Sequence, residues 1–283
     1  MDNHHKKNSK CYHFKLLTIS KPKSGLFDNC IDMAYLLTMT NSKRTDAYLK
    51  QLYEHIPVSR IKIQYNKGFR NCKKILTKKE VKYDLTDAVR NVFFDAVKNK
   101  YNSILVLEDD FFMDKKLYDK TDTDEICRFI NKNKPHVYNL GPAFHFSFPI
   151  EKNHLASIYF TTSHMCIYNL EYMLDFIINY KDISDCDQFW NIPKYKKFCY
   201  KKPIGFQIYD ETENRSGWSS DFADWNLLNG IKRYDLHKSH KNYTTVFNTC
   251  TGFSTAILIS IILVVIIIPI IIIIIINKKT KKD

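Results

Sequence analysis

Short apolar runs punctuate the first two thirds of the chain. Met33-Ala-Tyr-Leu-Leu-Thr38 and Ser103-Ile-Leu-Val-Leu107 are continuous and of strand length, the pattern of strands covered on both faces. Ser59-Arg-Ile-Lys-Ile-Gln-Tyr65 instead alternates apolar with polar, as a half-buried strand does. Ala47, Tyr48, Leu49 and Leu52 recur at helical spacing. So do Ala88, Val92, Phe93, Ala96 and Val97, in a helix that ends near Lys100. Asp84-Leu-Thr-Asp87 reads as an acidic capping box opening that helix, and the Lys-rich stretch 66–82 before it as a loop. Further strands are expected at His136–Gly141, Leu155–Phe160 and Met165–Tyr168, with a helix over 170–180. Strands alternating with helices predict one α/β domain with much parallel pairing.

The pattern changes abruptly at Phe253. From there to Ile276 no residue is charged and most are Ile. As a helix this stretch spans roughly 36 Å, against about 30 Å of bilayer hydrocarbon. Pro269 is tolerated in a membrane helix. The chain therefore divides into a basic, partly disordered arm (1–30), a catalytic-type domain (31–235), a juxtamembrane linker (236–252), a transmembrane helix (253–276) and a basic tail (277–283). Within the arm, Phe14–Ser20 has the apolar content of a short added strand. The N-terminus lacks the apolar stretch of a signal peptide. The expectation is a single-pass, C-terminal anchor inserted after synthesis, with the domain in the cytosol. Arg233, Lys238 and Lys241 on one flank oppose four tail lysines on the other, so the positive-inside count does not orient the segment.

Composition narrows the class further. With 14% aromatic residues and seven glycines, collagen-like and disordered readings are excluded, and no Gly-rich nucleotide fingerprint occurs. The formal charge is +13, which favours anionic partners. No Arg-rich tract interleaved with aromatics marks a nucleic-acid surface, and no specific nucleic acid is expected. The eight cysteines contain no C-x-x-C motif. Cys127 lies in a helical stretch and Cys166 in an apolar one, so all eight read as reduced thiols.

The chemistry concentrates at Glu108-Asp109-Asp110, directly after a buried strand. Adjacent carboxylates raise one another's pKa, and a hard divalent cation removes that cost. Ligands of open α/β sheets bind at the carboxyl ends of strands. Strand pitch directs Glu108 and Asp110 to one side and Asp109 to the other.

Tyr101-Asn-Ser-Ile-Leu-Val-Leu-Glu-Asp-Asp-Phe-Phe-Met113 resembles the strand and L-E-D-D segment of glycosyltransferase family 25, the lipooligosaccharide and collagen galactosyltransferase relatives. Ala34–Asp46, His136–Gly141, Ser163–Met173, Asp185-Cys-Asp187 and Lys202–Gln207 are similar to other segments of that family, in the same order. Tyr83–Ala88 stands where the family carries a Gly-Glu-x-Gly-Cys-type turn. The resemblance implies a GT-A-like fold: a nucleotide-sugar-binding domain with a mixed, mostly parallel sheet flanked by helices. It further implies Mn²⁺ (or Mg²⁺) and a nucleotide-sugar donor, a UDP-sugar. A hexose such as galactose or glucose would pass to a protein, lipid or glycan hydroxyl. Asp110 and Glu108 would hold the metal, and Glu108 or Asp109 would touch the donor's ribose. Lys43 and Arg44 would approach its diphosphate, and Asp187, with Asp185 as substitute, would be the base.

Plainer readings accompany these. Lys43 and Arg44 read as solvated charges, Asp185 and Asp187 as surface acids, Asp84 and Asp87 as caps, and His164 as a satisfied strand histidine. Trp190, Trp218 and Trp225 read as packing residues. Gln207 is either a substrate contact or a loop polar residue. The competing functions are a degenerate transferase-fold adaptor held on a membrane by its tail, and a nucleotidyltransferase. The altered turn at 83–88 favours the first, and the absence of Gly from Thr38–Thr45 opposes the second.

Overall fold

The computed structural model describes residues 3–17, 19, 24–179, 183, 185–207 and 240–279. Trp218, Trp225, Arg233, Lys238, Lys281 and Lys282 lie outside them. The chain begins with α1 (Asn3–Asn8), β1 (Tyr12–Leu17), β2 (Met33–Met39), α2 (Thr45–His55) and β3 (Ile61–Asn66). Then come α3 (Gly68–Asn71), α4 (Val81–Lys98), β4 (Ser103–Glu108), β5 (Phe111–Met113) and α5 (Lys120–Asn133). The second half holds β6 (Val137–Asn139), β7 (His145–Glu151), β8 (His154–Phe160), β9 (Met165–Asn169) and α6 (Leu170–Asn179). It closes with α7 (Cys186–Phe189), β10 (Lys197–Tyr200), β11 (Gly205–Gln207) and α8 (His240–Lys279).

Nine strands form one mixed sheet in the order β1-β3-β2-β4-β9-β6-β10-β8-β7. β2, β3, β4, β6, β7 and β10 point one way, and β1, β8 and β9 point the other. β5 and β11 form a separate antiparallel ribbon.

The continuous apolar runs are explained by burial on both faces. Ala34, Leu36, Leu105 and Leu107 pack toward Tyr48 and Leu52 of α2 and Ile126 and Phe129 of α5. Met33, Tyr35, Ile104 and Val106 pack on the opposite side, against Val92 and Phe93 of α4 and Tyr172 and Phe176 of α6. Fully burying one such side chain is worth about 1.5–3 kcal/mol, which fixes the strand register.

The N-terminal arm takes the added-strand alternative: β1 pairs antiparallel with β3 over its whole length, and Asn8 and Cys11 are buried. Three expectations need correction. α4 starts at Val81, without a side-chain cap at Glu80, so Asp84 and Asp87 are interior residues rather than caps. Both are buried: a buried lysine, Lys74, lies against Asp84 at 2.5 Å, and Asp87 accepts from Tyr12 Oη at 2.6 Å and Asn8 Nδ2 at 3.1 Å. The juxtamembrane stretch is, from residue 240, the opening of the same helix as the apolar segment. The cysteines are not all reduced. Cys11–Cys72 and Cys30–Cys127 are disulfides, and Cys166, Cys186, Cys199 and Cys250 are free and buried. The bonded partners lie 61 and 97 residues apart in sequence, beyond the reach of any local spacing rule.

α8 is long and apolar enough to cross a membrane, with a mean hydropathy of 2.9 over its most apolar window. It is not a free tail. Tyr243, Val246, Phe247 and Cys250 are buried against Ala143, Phe206, Leu155 and Cys199 of the body.

Candidate active site

The directional majority of the strands brings the ends of β2, β3 and β4 to one edge of the sheet. A cleft of about 360 Å³ opens there, walled by the turn after β2, Asn66, Asp84 and the acid trio Glu108–Asp110. The trio divides as strand pitch requires. Asp109 turns into the protein: it accepts hydrogen bonds from Thr38 Oγ1 (2.7 Å), Ser42 Oγ (2.7 Å) and Arg44 Nη1 (2.9 Å). These bonds tie the turn after β2 to the end of β4, and Asp109 also lines the cleft. Glu108 accepts a hydrogen bond from Ser163 Oγ, and Asp110 accepts one from Gln207 Nε2 at 2.9 Å.

Asp187 belongs to the same cluster. Its carboxylate accepts the Thr162 amide at 3.1 Å, and it lies beside Ser163, whose single hydroxyl proton is donated to Glu108. Thr162 sits at φ +75°, a conformation that a β-branched residue adopts at a cost. Here that conformation aims its N–H at Asp187. Asp185 is placed differently. It caps α7 by accepting the Asp187 N–H at 2.9 Å, so of the two candidate bases only Asp187 touches Ser163.

The electrostatics follow from this crowding. Burial, then the Asp110 and Asp187 charges, push the Glu108 carboxyl well above the usual range, partly offset by Ser163. Burial pushes Asp110 up to about 6, against the pull of Arg44 and Gln207. Burial and the charge of Asp185 push Asp187 to about 6 as well.

Arg44 is not a solvated charge. It is partly buried, paired with Asp109 and 3.9 Å from Asp110. Lys43 is exposed on the cleft rim. His164 departs from its reading as a satisfied strand histidine, since it is fully buried and neither ring nitrogen has a hydrogen-bond partner. Burial holds its pKa down at about 3. Trp190 is a packing residue, fully buried with Nε1 donating to the Phe160 carbonyl.

Several site residues escaped the sequence reading. Ser163, Thr38 and Ser42 position carboxylates, and single hydroxyl residues carry no distinguishing pattern. Lys74 underlies the cleft, its Nζ within 2.7 Å of Tyr12 Oη, 2.6 Å of Asn66 Oδ1 and 2.5 Å of Asp84 Oδ1. The Cys11–Cys72 bond ties together the two segments that carry Tyr12 and Lys74.

The residues fit a hard divalent cation at Glu108 and Asp110. Both supply oxygen donors, burial and then a neighbouring carboxylate raise the pKa of each, and Asp110 Oδ1 is buried without any hydrogen-bond partner. Asp185, Cys186 and Asp187 also bring ligand atoms within 4.8 Å of one another. That set fits less well, because Asp185 serves the helix cap and burial pushes the Cys186 thiol well up.

No protein-family model matches the chain, and no curated protein matches it. Among solved structures it is similar to a mannose-1-phosphate geranyltransferase from Thermus thermophilus, at 9% identity over 60% of this chain and 74% of that one, with a TM-score of 0.35. A nucleoside-diphosphate-sugar pyrophosphorylase from Vibrio cholerae is similar at 12% identity, 64% and 81% coverage and a TM-score of 0.32. A UDP-glucose pyrophosphorylase complexed with UDP-glucose is similar at 8% identity, 76% and 79% coverage and a TM-score of 0.36. The likeness at these scores is confined to the general α/β arrangement.

Proposed function

We propose that the chain is a membrane-anchored glycosyltransferase of the family 25 type, moving a hexose from a nucleotide-sugar donor to a hydroxyl of a protein, lipid or glycan. One observation carries this reading: the scattered segments that resemble the family meet around one carboxylate cluster. Asp109 holds the turn of 34–46, Glu108 meets Ser163, Ser163 meets Asp187, and Gln207 meets Asp110.

In this reading the donor lies in the cleft with its diphosphate near Lys43 and the Glu108–Asp110 pair. Mn²⁺ or Mg²⁺ held by that pair supplies charge compensation for the departing diphosphate. Asp187, ionised at neutral pH, takes the proton of the acceptor hydroxyl. The acceptor oxygen bonds to the anomeric carbon as the bond to the diphosphate oxygen breaks, and the electron pair leaves with the nucleotide. Gln207 and Arg44 hold Asp110 in place.

The two disulfides support a body on the oxidising side of the membrane, since such bonds persist in oxidising compartments. These bonds stand against the cytosolic placement expected from a C-terminal anchor inserted after synthesis and from reduced thiols. α8 is the anchor, with Lys278 and Lys279 beyond the apolar stretch on the reducing side.

The test is donor turnover by the full chain in lipid nanodiscs with Mn²⁺, across a panel of nucleotide sugars, beside Asp110→Ala. Metal-dependent turnover lost in the variant is the expected result. Absence of both turnover and metal-dependent nucleotide binding overturns the proposal in favour of the adaptor.

A further inference from the structure

α8 and β7 advance together. The Phe247 carbonyl meets His145 Nε2 at 3.1 Å, and one helical stretch later the Ser254 hydroxyl accepts the Ser147 N–H at 3.2 Å. Ser254 is fully buried although it lies inside the uncharged segment that begins at Phe253. The body is therefore in contact with α8 where the segment enters the bilayer. β7 continues past this point to Glu151, four residues further. The outer half of the β7–β8 hairpin thus projects past the level at which the uncharged segment begins.

That hairpin is also unusually apolar on its outside. Ile150, Ile158 and Tyr159 are 49%, 59% and 40% exposed. Phe146 and Phe148 are partly exposed, alternate with the α8-facing His145 and Ser147, and pack edge to face at 4.9 Å. Other exposed large apolar residues of the described body are dispersed over β1, α2, α6 and the turn after α7. Around the tip stand Lys132, Lys152 and Lys201, all exposed, of which Lys132 is paired with Glu151. An apolar and aromatic patch collared by lysines is the composition of a surface seated in the interfacial layer, with its charges at the headgroup phosphates.

We propose that the β7–β8 hairpin is a second membrane contact, its apolar residues entering the lipid interface beside α8 and holding the body in one orientation on the bilayer. The inference rests on reading α8 as the anchor. Its occupant is the phospholipid surface, argued from the continuity of the patch with the anchoring helix.

The test uses the full chain carrying Ile150→Cys, Ile158→Cys, Ile266→Cys or Lys98→Cys, labelled with an environment-sensitive fluorophore and reconstituted into phosphatidylcholine–phosphatidylserine vesicles. The native cysteines are bonded or buried, so labelling is confined to the introduced thiol. Quenching is read with lipid nitroxides placed either near the headgroup or deep in the acyl chains. The Ile266→Cys label is expected to respond to the deep quencher, and the Lys98→Cys label, on the end of α4, to neither. Labels at 150 and 158 should be quenched at least about twofold more by the shallow quencher than by the deep one, as groups about 5–10 Å into the interface are. Quenching at 266 with none at 150 and 158 overturns the hairpin contact and leaves the anchor intact. No quenching at 266 overturns the anchor and the hairpin contact with it. Because exposed positions are altered, the variants retain the fold, and the buried Trp190 fluorescence confirms it.

Discussion

Replacing Asp110 by Asn should stabilise the metal-free protein while abolishing its activity. Burial raises the Asp110 pKa from its ordinary value of 3.8 to about 6. For an acid, a raised folded-state pKa means that the native state favours the protonated form. The ionised carboxylate therefore destabilises the fold above about pH 6. This cost shrinks as the pH falls through about 6 and is gone below the unfolded value near 4. About two pKa units correspond to roughly 3 kcal/mol at most. Asn keeps an acceptor for Gln207 but adds an amide donor where Asp110 Oδ1 now has no partner, so a net gain of about 1–3 kcal/mol is expected. At about 2–4 °C per kcal/mol for a body of this size, the melting point should rise by several degrees. The assay is thermal unfolding of the full chain in detergent with chelator, at pH 7.5 and again near pH 4, where the difference should close. Saturating Mn²⁺ should close or reverse the difference at pH 7.5, because ligand at about 100 times its Kd stabilises the wild type by about 2.7 kcal/mol. A variant less stable than wild type at pH 7.5 in chelator, or a difference that persists near pH 4, would refute the electrostatic account of the site.

Other changes probe the scaffold. Lys74→Met leaves Asp84 buried without its cation and should cost about 3–5 kcal/mol, read as a lowered unfolding midpoint together with weakened nucleotide binding. Alkylation of the denatured, unreduced protein should label four thiols, and eight after reduction; eight before reduction would disprove the disulfides. Gly141→Ala places a Cβ 2.0 Å from the Gly205 carbonyl oxygen and should cost at least about 3 kcal/mol, seen as loss of folded protein on expression. Tyr243→Phe removes the 2.6 Å bond from its hydroxyl to the Gly141 carbonyl and should lower stability by about 1–3 kcal/mol, with a matching fall in melting point.

The parts of the fold that were legible in sequence are those whose burial is symmetric or whose chemistry is costly. β2 and β4 announce themselves because both faces are apolar, and Glu108-Asp109-Asp110 because carboxylates rarely follow a buried strand without a purpose. β7 lacks such a signal for a physical reason. Pro149 and the polar His145 and Ser147 argue against an ordinary strand, and β7 is in fact the terminal strand of the sheet, where Pro is tolerated. Asp84 and Asp87 resemble caps because acids near a helix start usually are. What changes their meaning is Lys74, brought under the cleft by β1 and the Cys11–Cys72 bond. The disulfides themselves join residues that no local pattern relates, so the sequence reading of all eight cysteines as reduced thiols fails at those four.

The joint between α8 and the body has a consequence for the order of events during synthesis. Tyr243, Val246, Phe247 and Cys250 close over Ala143, Phe206, Leu155 and Cys199, yet every residue they cover leaves the ribosome before they do. Until α8 has emerged, the far edge of the sheet lacks its lid. The same helix carries the apolar segment that is long enough to cross a membrane. Completion of the fold therefore waits for the last helix of the described residues, and a nascent chain interrupted before it lacks the finished core.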